Sequence, residues 1–333
     1  MDSITQIALG ASVGEAYLGR KVGNRAPLWG AIGGTIPDLD VIPGLFLDTV
    51  QRLDIHRGFS HSIIFFLLLS PVLAWLIQKL YKDPKAGYWH WTVFFFLVLV
   101  THPLLDCFTT WGTQLFWPWD YRIAWNTIFV IDPLYTLPLL ISMIIVLFKK
   151  GKTRQVLVWS GLAISSCYLF FTVLTKFGIE NTFKKALADQ DIEFQRLLSR
   201  PAPLSSLLWS GIAETEDGFY FGYYSVLDKN EEVNFHYYAK NEHLLNSELL
   251  QYYDLQRLLF LTKGYYTLEA KNENIILHDL RFGELNGWIR EKSQFVFSYI
   301  IMEDGQLNIK EISPELRLNS ENLGVLWDRI KGE

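Results

Sequence analysis

Three imidazoles and several carboxylates fall in short blocks along the first 135 residues of this 333-residue chain. Pro37-Asp38-Leu39-Asp40 sets two carboxylates two residues apart. His56-Arg57-Gly58-Phe59-Ser60-His61-Ser62 sets two imidazoles five apart, and His102-Pro103-Leu104-Leu105-Asp106 sets an imidazole and a carboxylate four apart. Residues four apart share a helix face, so His102 and Asp106 point together. Asp132-Pro133 follows inside the next apolar stretch. An ionisable side chain at membrane depth costs roughly 3 kcal/mol on insertion scales, so such groups pair, line a cavity or bind an ion. A divalent cation relieves repulsion among Asp38, Asp40 and Asp106. Mixed nitrogen and oxygen donors suit zinc first, with manganese or iron as alternatives. The six candidates Asp38, Asp40, His56, His61, His102 and Asp106 exceed the four ligands of a structural zinc site. That surplus points to an open or two-metal centre able to activate water against a phosphoester. Arg57 is then the expected charge stabiliser for substrate oxygens, and Asp40 or Asp132 the carboxylate that orients or deprotonates the water.

The elements that must position these groups read as membrane helices. Ile63–Leu80, Trp89–Leu105, Thr127–Phe148 and Val156–Phe177 each approach the ~20 apolar residues that cross a bilayer core. Ile4–Gly19 and Ala26–Phe46 are weaker, and we expect them to be short or re-entrant helices. Gly10/Gly14 and Gly30/Gly34 have the spacing that lets helices approach closely. The predicted fold is an α-helical integral membrane bundle over residues 1–177 followed by a soluble α+β domain over 178–333, with a single curved sheet. In that domain Lys184–Arg200 reads as a helix, and Asn241–Leu261 as one or two helices. Gly218–Leu227, Val233–Ala239, Tyr265–Ala270, Ile275–Leu280 and Phe295–Ile301 read as strands.

Charge separates the two halves: residues 1–177 balance at +4 and the remainder at −9. An acidic second half has no basic stripe to displace counterions from phosphates, which excludes nucleic acid as a partner. Membrane lipids, a small-molecule or lipid-linked substrate, and a protein partner of the C-terminal domain are the expected partners. Cys107 and Cys167 read as two small buried hydrophobes rather than a disulfide. Arg20, Lys21, Arg25, Lys79, Lys82, Lys85, Lys149, Lys150, Lys152 and Arg154 occupy alternate loops, against Arg52, Arg57 and Arg122 in the others. By the positive-inside rule the ten-residue side of this multi-pass protein is expected to be cytoplasmic, with the His/Asp cluster and the C-terminal domain outside the cytoplasm. Trp111, Trp117, Trp119 and Trp125 read as an interfacial belt, and Asp48 and Asp54 as solvated loop residues.

Met1-Asp2-Ser3-Ile4-Thr5, the glycine-rich run after it and the three blocks above resemble the YdjM/YfhP family. Its members are described as membrane-bound metal-dependent hydrolases, one of them also as LexA-binding. The motifs cover about the first 135 residues. Leu207-Leu208-Trp209 and Gly222-Tyr223-Tyr224-Ser225 look like the C-terminal extension of longer members. The resemblance implies hydrolysis by name, with no established substrate. A fainter similarity to zinc-dependent phospholipase C enzymes, in which a His and an Asp four apart bind metal, implies a phosphoester or phospholipid. Gln6 stands where the family usually has His, and an amide is a poor metal ligand.

Overall fold

The computed structural model describes residues 1–81, 84–272, 274–285, 287, 294–303, 307–314 and 320–332; Lys82 lies outside the described residues. The chain divides into two compact units. One comprises Met1–Leu45 and Ile55–Val173, the other Phe46–Asp54 and Leu174–Glu333.

The first unit is helical. Its first helix, α1 (Ser3–Val22), starts where the Asp2 carboxylate accepts from the backbone N–H groups of Ile4 and Thr5, satisfying two of the unpaired donors of a helix N-terminus. The next, α2 (Arg25–Thr35), packs on α1 at backbone contact. A Cβ at Gly10 would lie 2.4 Å from the Gly30 carbonyl oxygen, and one at Gly34 would lie 2.6 Å from that of Gln6. The glycine spacing therefore does what its sequence pattern predicts. A 3-10 turn (Pro37–Asp40) and the short α3 (Val41–Gly44) follow, so the chain is broken around Asp38 and Asp40 as expected.

Beyond α4 (Thr49–Ile55) and a 3-10 turn (Phe59–His61) come α5 (Ile63–Leu80), α6 (Tyr88–Asp106), α7 (Pro133–Val146) and α8 (Gly151–Asp189). Trp91, Phe94, Phe95, Val98 and Leu99 of α6 form the centre of the core with Leu18, Phe66 and Ile77. Among the described residues α5, α6 and α8 are long and apolar enough to cross a membrane. The four expected spans thus reduce to three. The expected span Thr127–Phe148 is helical only over the 14 residues of α7, because Asp132 caps it and Pro133 sets its first turn. Cys167 is exposed on α8, not buried, whereas Cys107 is buried.

The second unit corrects three expectations. The single sheet is two four-stranded antiparallel meanders. One holds β1 (Arg196–Pro201), β2 (Leu208–Glu214), β3 (Gly218–Ser225) and β4 (Phe235–Ala239). Asn241 then turns the chain out of the ladder in a left-handed conformation, toward α9 (Tyr253–Leu261). The other sheet holds β5 (Tyr266–Lys271), β6 (Asn274–Glu284), β7 (Phe295–Glu303) and β8 (Leu307–Glu311), followed by α10 (Ser320–Ile330). Phe219, Phe221, Leu280 and Phe295 pack with Leu326 and Ile330 of α10 between them. The expected helix Lys184–Arg200 ends at Asp189, because Asp191 is left-handed and Arg196–Pro201 pairs with β2. Finally, Asp54 is not a free loop residue. It accepts from Arg257 at 2.6 Å, as Glu311 accepts from Arg52 at 2.8 Å, and these ion pairs hold residues 46–54 within the second unit.

Candidate metal centre

Four side chains from three elements converge in the first unit. Asp38 comes from the 3-10 turn after α2, His61 from the turn before α5, and His102 and Asp106 from the last turns of α6. One donor atom from each lies within 4.8 Å of all the others. His61 Nε2 stands 3.4 Å from Asp38 Oδ1 and 3.5 Å from Asp106 Oδ2; for His102 Nε2 the distances are 3.3 and 3.4 Å. Zinc bonds of ~2.0–2.2 Å set the donors of a tetrahedron ~3.3–3.6 Å apart, so these separations are the edges of such a shell. His61 Nε2, His102 Nε2 and Asp106 Oδ2 are buried without a hydrogen-bond partner. Leaving three such atoms bare in an apolar interior costs on the order of 1–3 kcal/mol each, more if charged, and a cation among them removes that cost. The donors present therefore fit a divalent metal.

Outer contacts aim these atoms inward. The Gly34 carbonyl can only accept, so His102 Nδ1 carries the proton on the 2.6 Å bond between them, and the Nε2 lone pair faces the centre. His61 Nδ1 lies 3.0 Å from Ser60 Oγ, which itself donates to Asp40 Oδ2 at 3.2 Å. Asp106 Oδ1 accepts from the Met1 amino group, from Gln6 Nε2 at 3.0 Å and from the Arg57 guanidinium at 3.3 Å. That cradle leaves Oδ2 to face the imidazoles.

Two of the six expected ligands stand one layer out. Asp40 accepts from the Arg57 backbone N–H at 2.8 Å and bonds His56 Nδ1 at 3.2 Å. Burial works against its charge, but the hydrogen bonds from His56 and the Arg57 N–H outweigh it and hold the carboxyl below the usual range. His56 is partly exposed, with its ring edge-on to Trp111 at 5.1 Å. Arg57 is buried, left-handed at φ 56°, and bonded to Thr109 Oγ1 at 2.8 Å as well as to Asp106. Its fork is turned inward rather than presented at an opening. Asp132, expected beside the reacting water, caps α7 through the Leu134 N–H at 3.0 Å and accepts from the Tyr168 hydroxyl at 2.8 Å.

Sequence reasoning gave no role to Ser60, although it lies inside a quoted block, nor to Thr109, and it read Gly34 as a helix-packing residue rather than as the acceptor for His102. Gln6, singled out as a poor ligand, acts as a donor to Asp106.

Over residues 1–179 the chain matches the family described as YdjM inner membrane protein. It belongs to that family. The YdjM match spans all four converging donors and their outer contacts. YfhP of Bacillus subtilis (strain 168), described as uncharacterized, is 25% identical over 230 residues, covering 67% of this chain and 68% of that protein. The inner membrane protein YbcI of Escherichia coli (strain K12) is 26% identical over 118 residues, covering 35% of this chain and 66% of its own length. YvsG of Bacillus subtilis, also described as uncharacterized, is 28% identical over 149 residues, 43% of this chain and 76% of that protein. The YdjM description and the apolar helices together place the protein in a membrane. No solved structure matches the chain.

Proposed function

We propose that this protein is a multi-pass membrane metallohydrolase acting on a phosphoester or lipid-linked substrate, with its centre and second unit outside the cytoplasm. The observation that carries this reading is the set of three buried, partnerless donor atoms closed by Asp38 at tetrahedral spacing. A divalent cation bound there, zinc by preference, supplies Lewis-acid polarisation of a phosphoryl or carbonyl oxygen. The chain's own residues do the rest. His61 and His102 hold their protons on Nδ1 and keep Nε2 as lone-pair donors. Arg57 and Gln6 lock Asp106. Asp40 orients His56 through Nδ1, which leaves Nε2 of the partly exposed ring as the atom able to hold or move a proton.

The donor count supports a second reading. Four protein ligands complete a tetrahedron, as in structural zinc sites, whereas catalytic sites keep a position open. On that reading the metal braces the bundle and the C-terminal unit binds a protein partner. Metal analysis of the purified protein beside a broad screen of phosphoesters, esters and amides separates the two. Hydrolysis that falls about 100-fold or more in His56→Gln, at unchanged metal content, supports the enzyme. A fully loaded protein inert to every substrate class leaves the structural metal.

A further inference from the structure

We propose that the centre is reached sideways from the bilayer, and that its substrate is a phospholipid whose acyl chains lie along α2. The inference rests on the metal-centre reading above and deepens it. Of the four donor side chains, three are buried at 0–1% exposure, whereas Asp38 retains 24%. Whatever meets the metal from outside therefore arrives past Asp38.

The surface beside Asp38 is apolar. Leu28, Ile32 and Leu39 are 54, 42 and 50% exposed, and Ile36 between them is partly buried. Steps of four, four and three residues put them in one stripe along α2 and its 3-10 extension. The other faces of α2 are taken: Gly30 and Gly34 meet α1, and Gly33 faces Val98 of α6. At 11 residues α2 is ~16 Å long, about half the ~30 Å of a hydrocarbon core, so it ends inside the membrane or at its edge rather than crossing. Ordinary boundary lipid covers any such face. What is particular here is that the stripe continues past the one exposed donor, where Val41 and Ile42, three and four residues on from Asp38, are 54 and 52% exposed. A water-soluble phosphoester gains nothing from it. A phospholipid already in the bilayer places its anionic phosphate at the cation with its chains packed along the stripe.

The test uses the full-length, metal-loaded protein in non-ionic micelles and two non-hydrolysable phosphonates, a diacyl phospholipid analogue and its chain-less glycerol headgroup. Turnover of the matching esters is measured in parallel. We expect the diacyl analogue, with affinity expressed per mole fraction in the micelle, to bind at least 100-fold more tightly. Ile32→Asn and Leu39→Asn should cut that preference more than tenfold while metal content and headgroup affinity stay unchanged. Equal binding of the two analogues, or a preference that survives both substitutions, overturns the proposal. Analogue binding as expected with no ester hydrolysed retires the hydrolase and keeps the lipid site. Turnover confined to chain-less esters does the reverse.

Discussion

Two of the places where the helical unit buries charge are built on opposite principles. Glu15 of α1 and Arg154 of α8 form a closed pair. The guanidinium donates to both carboxylate oxygens at 2.5 Å, and its third nitrogen donates to Asn24 Oδ1. Everything that pair needs is in the chain. In the Asp38/His61/His102/Asp106 cluster, His61, His102 and Asp106 are as deeply buried but turn three atoms without a hydrogen-bond partner toward one another. In the first place arginine and asparagine complete the carboxylate's contacts; in the second Arg57 and Gln6 hold only one oxygen of Asp106, and the other stays turned toward the imidazoles.

The largest expected effect is on the open cluster. His102→Ala with Asp106→Ala removes two of four donors and should lower metal affinity by about three orders of magnitude or more, emptying the purified protein in elemental analysis. Unchanged stoichiometry in a folded protein would erase the distinction between the two places. The closed pair is next. Arg154→Ala leaves Glu15 buried and unpaired and should cost about 3–5 kcal/mol in an unfolding assay. Replacing both partners by Leu and Met should recover most of it, and a chelator should not change either result. Gln6→Ala sharpens the contrast from the side of the outer contacts. Losing one donor to Asp106 should weaken metal binding by roughly 10–100-fold, read by competition with a chromogenic chelator, without emptying the site. Smallest is Asp132→Asn. Asn caps a helix about as well as Asp, so stability should change by less than about 1 kcal/mol, with metal content and any hydrolysis retained. A loss of turnover there would return Asp132 to the chemistry.

The open cluster was legible in the sequence because its parts are local. His102 and Asp106 share a helix face, and His61 and Asp38 sit in short blocks whose residue types are costly in an apolar setting. The division into ligands and outer residues was not legible. Asp40 and Asp38 differ only by which side of one 3-10 turn they occupy, and the same holds for His56 and His61 across a turn and a left-handed Arg57. The closed pair was hidden by distance: Glu15 and Arg154 are 139 residues apart, and Arg154 counts as a surface cation until the fold buries it. Among the strands, β3 to β7 announced themselves by aromatic and branched residues. By contrast β2 carries Ser210, Gly211 and Ala213, because Phe183 of α8 packs where a Cβ at Gly211 would stand, 2.7 Å away. Small residues required by a neighbour carry no strand signal of their own.

Residues 46–54 and 174–333 fold into one compact unit, tied by Arg52–Glu311 and Asp54–Arg257. On the proposed multi-pass topology that unit lies in one aqueous compartment, and the chain between Ile55 and Val173 then traverses the bilayer an even number of times. Three traverses by α5, α6 and α8 make that number odd. On that proposal α7 would supply a fourth, and a reporter after Phe148 should read the same side as one at Lys85. At 14 residues α7 reaches ~21 Å of a ~30 Å core. Mismatch of that size is met by thinning the surrounding lipid, at fractions of a kcal/mol per ångström. A fourth traverse there would shape its solvent, drawing the two leaflets together along the flank of α7.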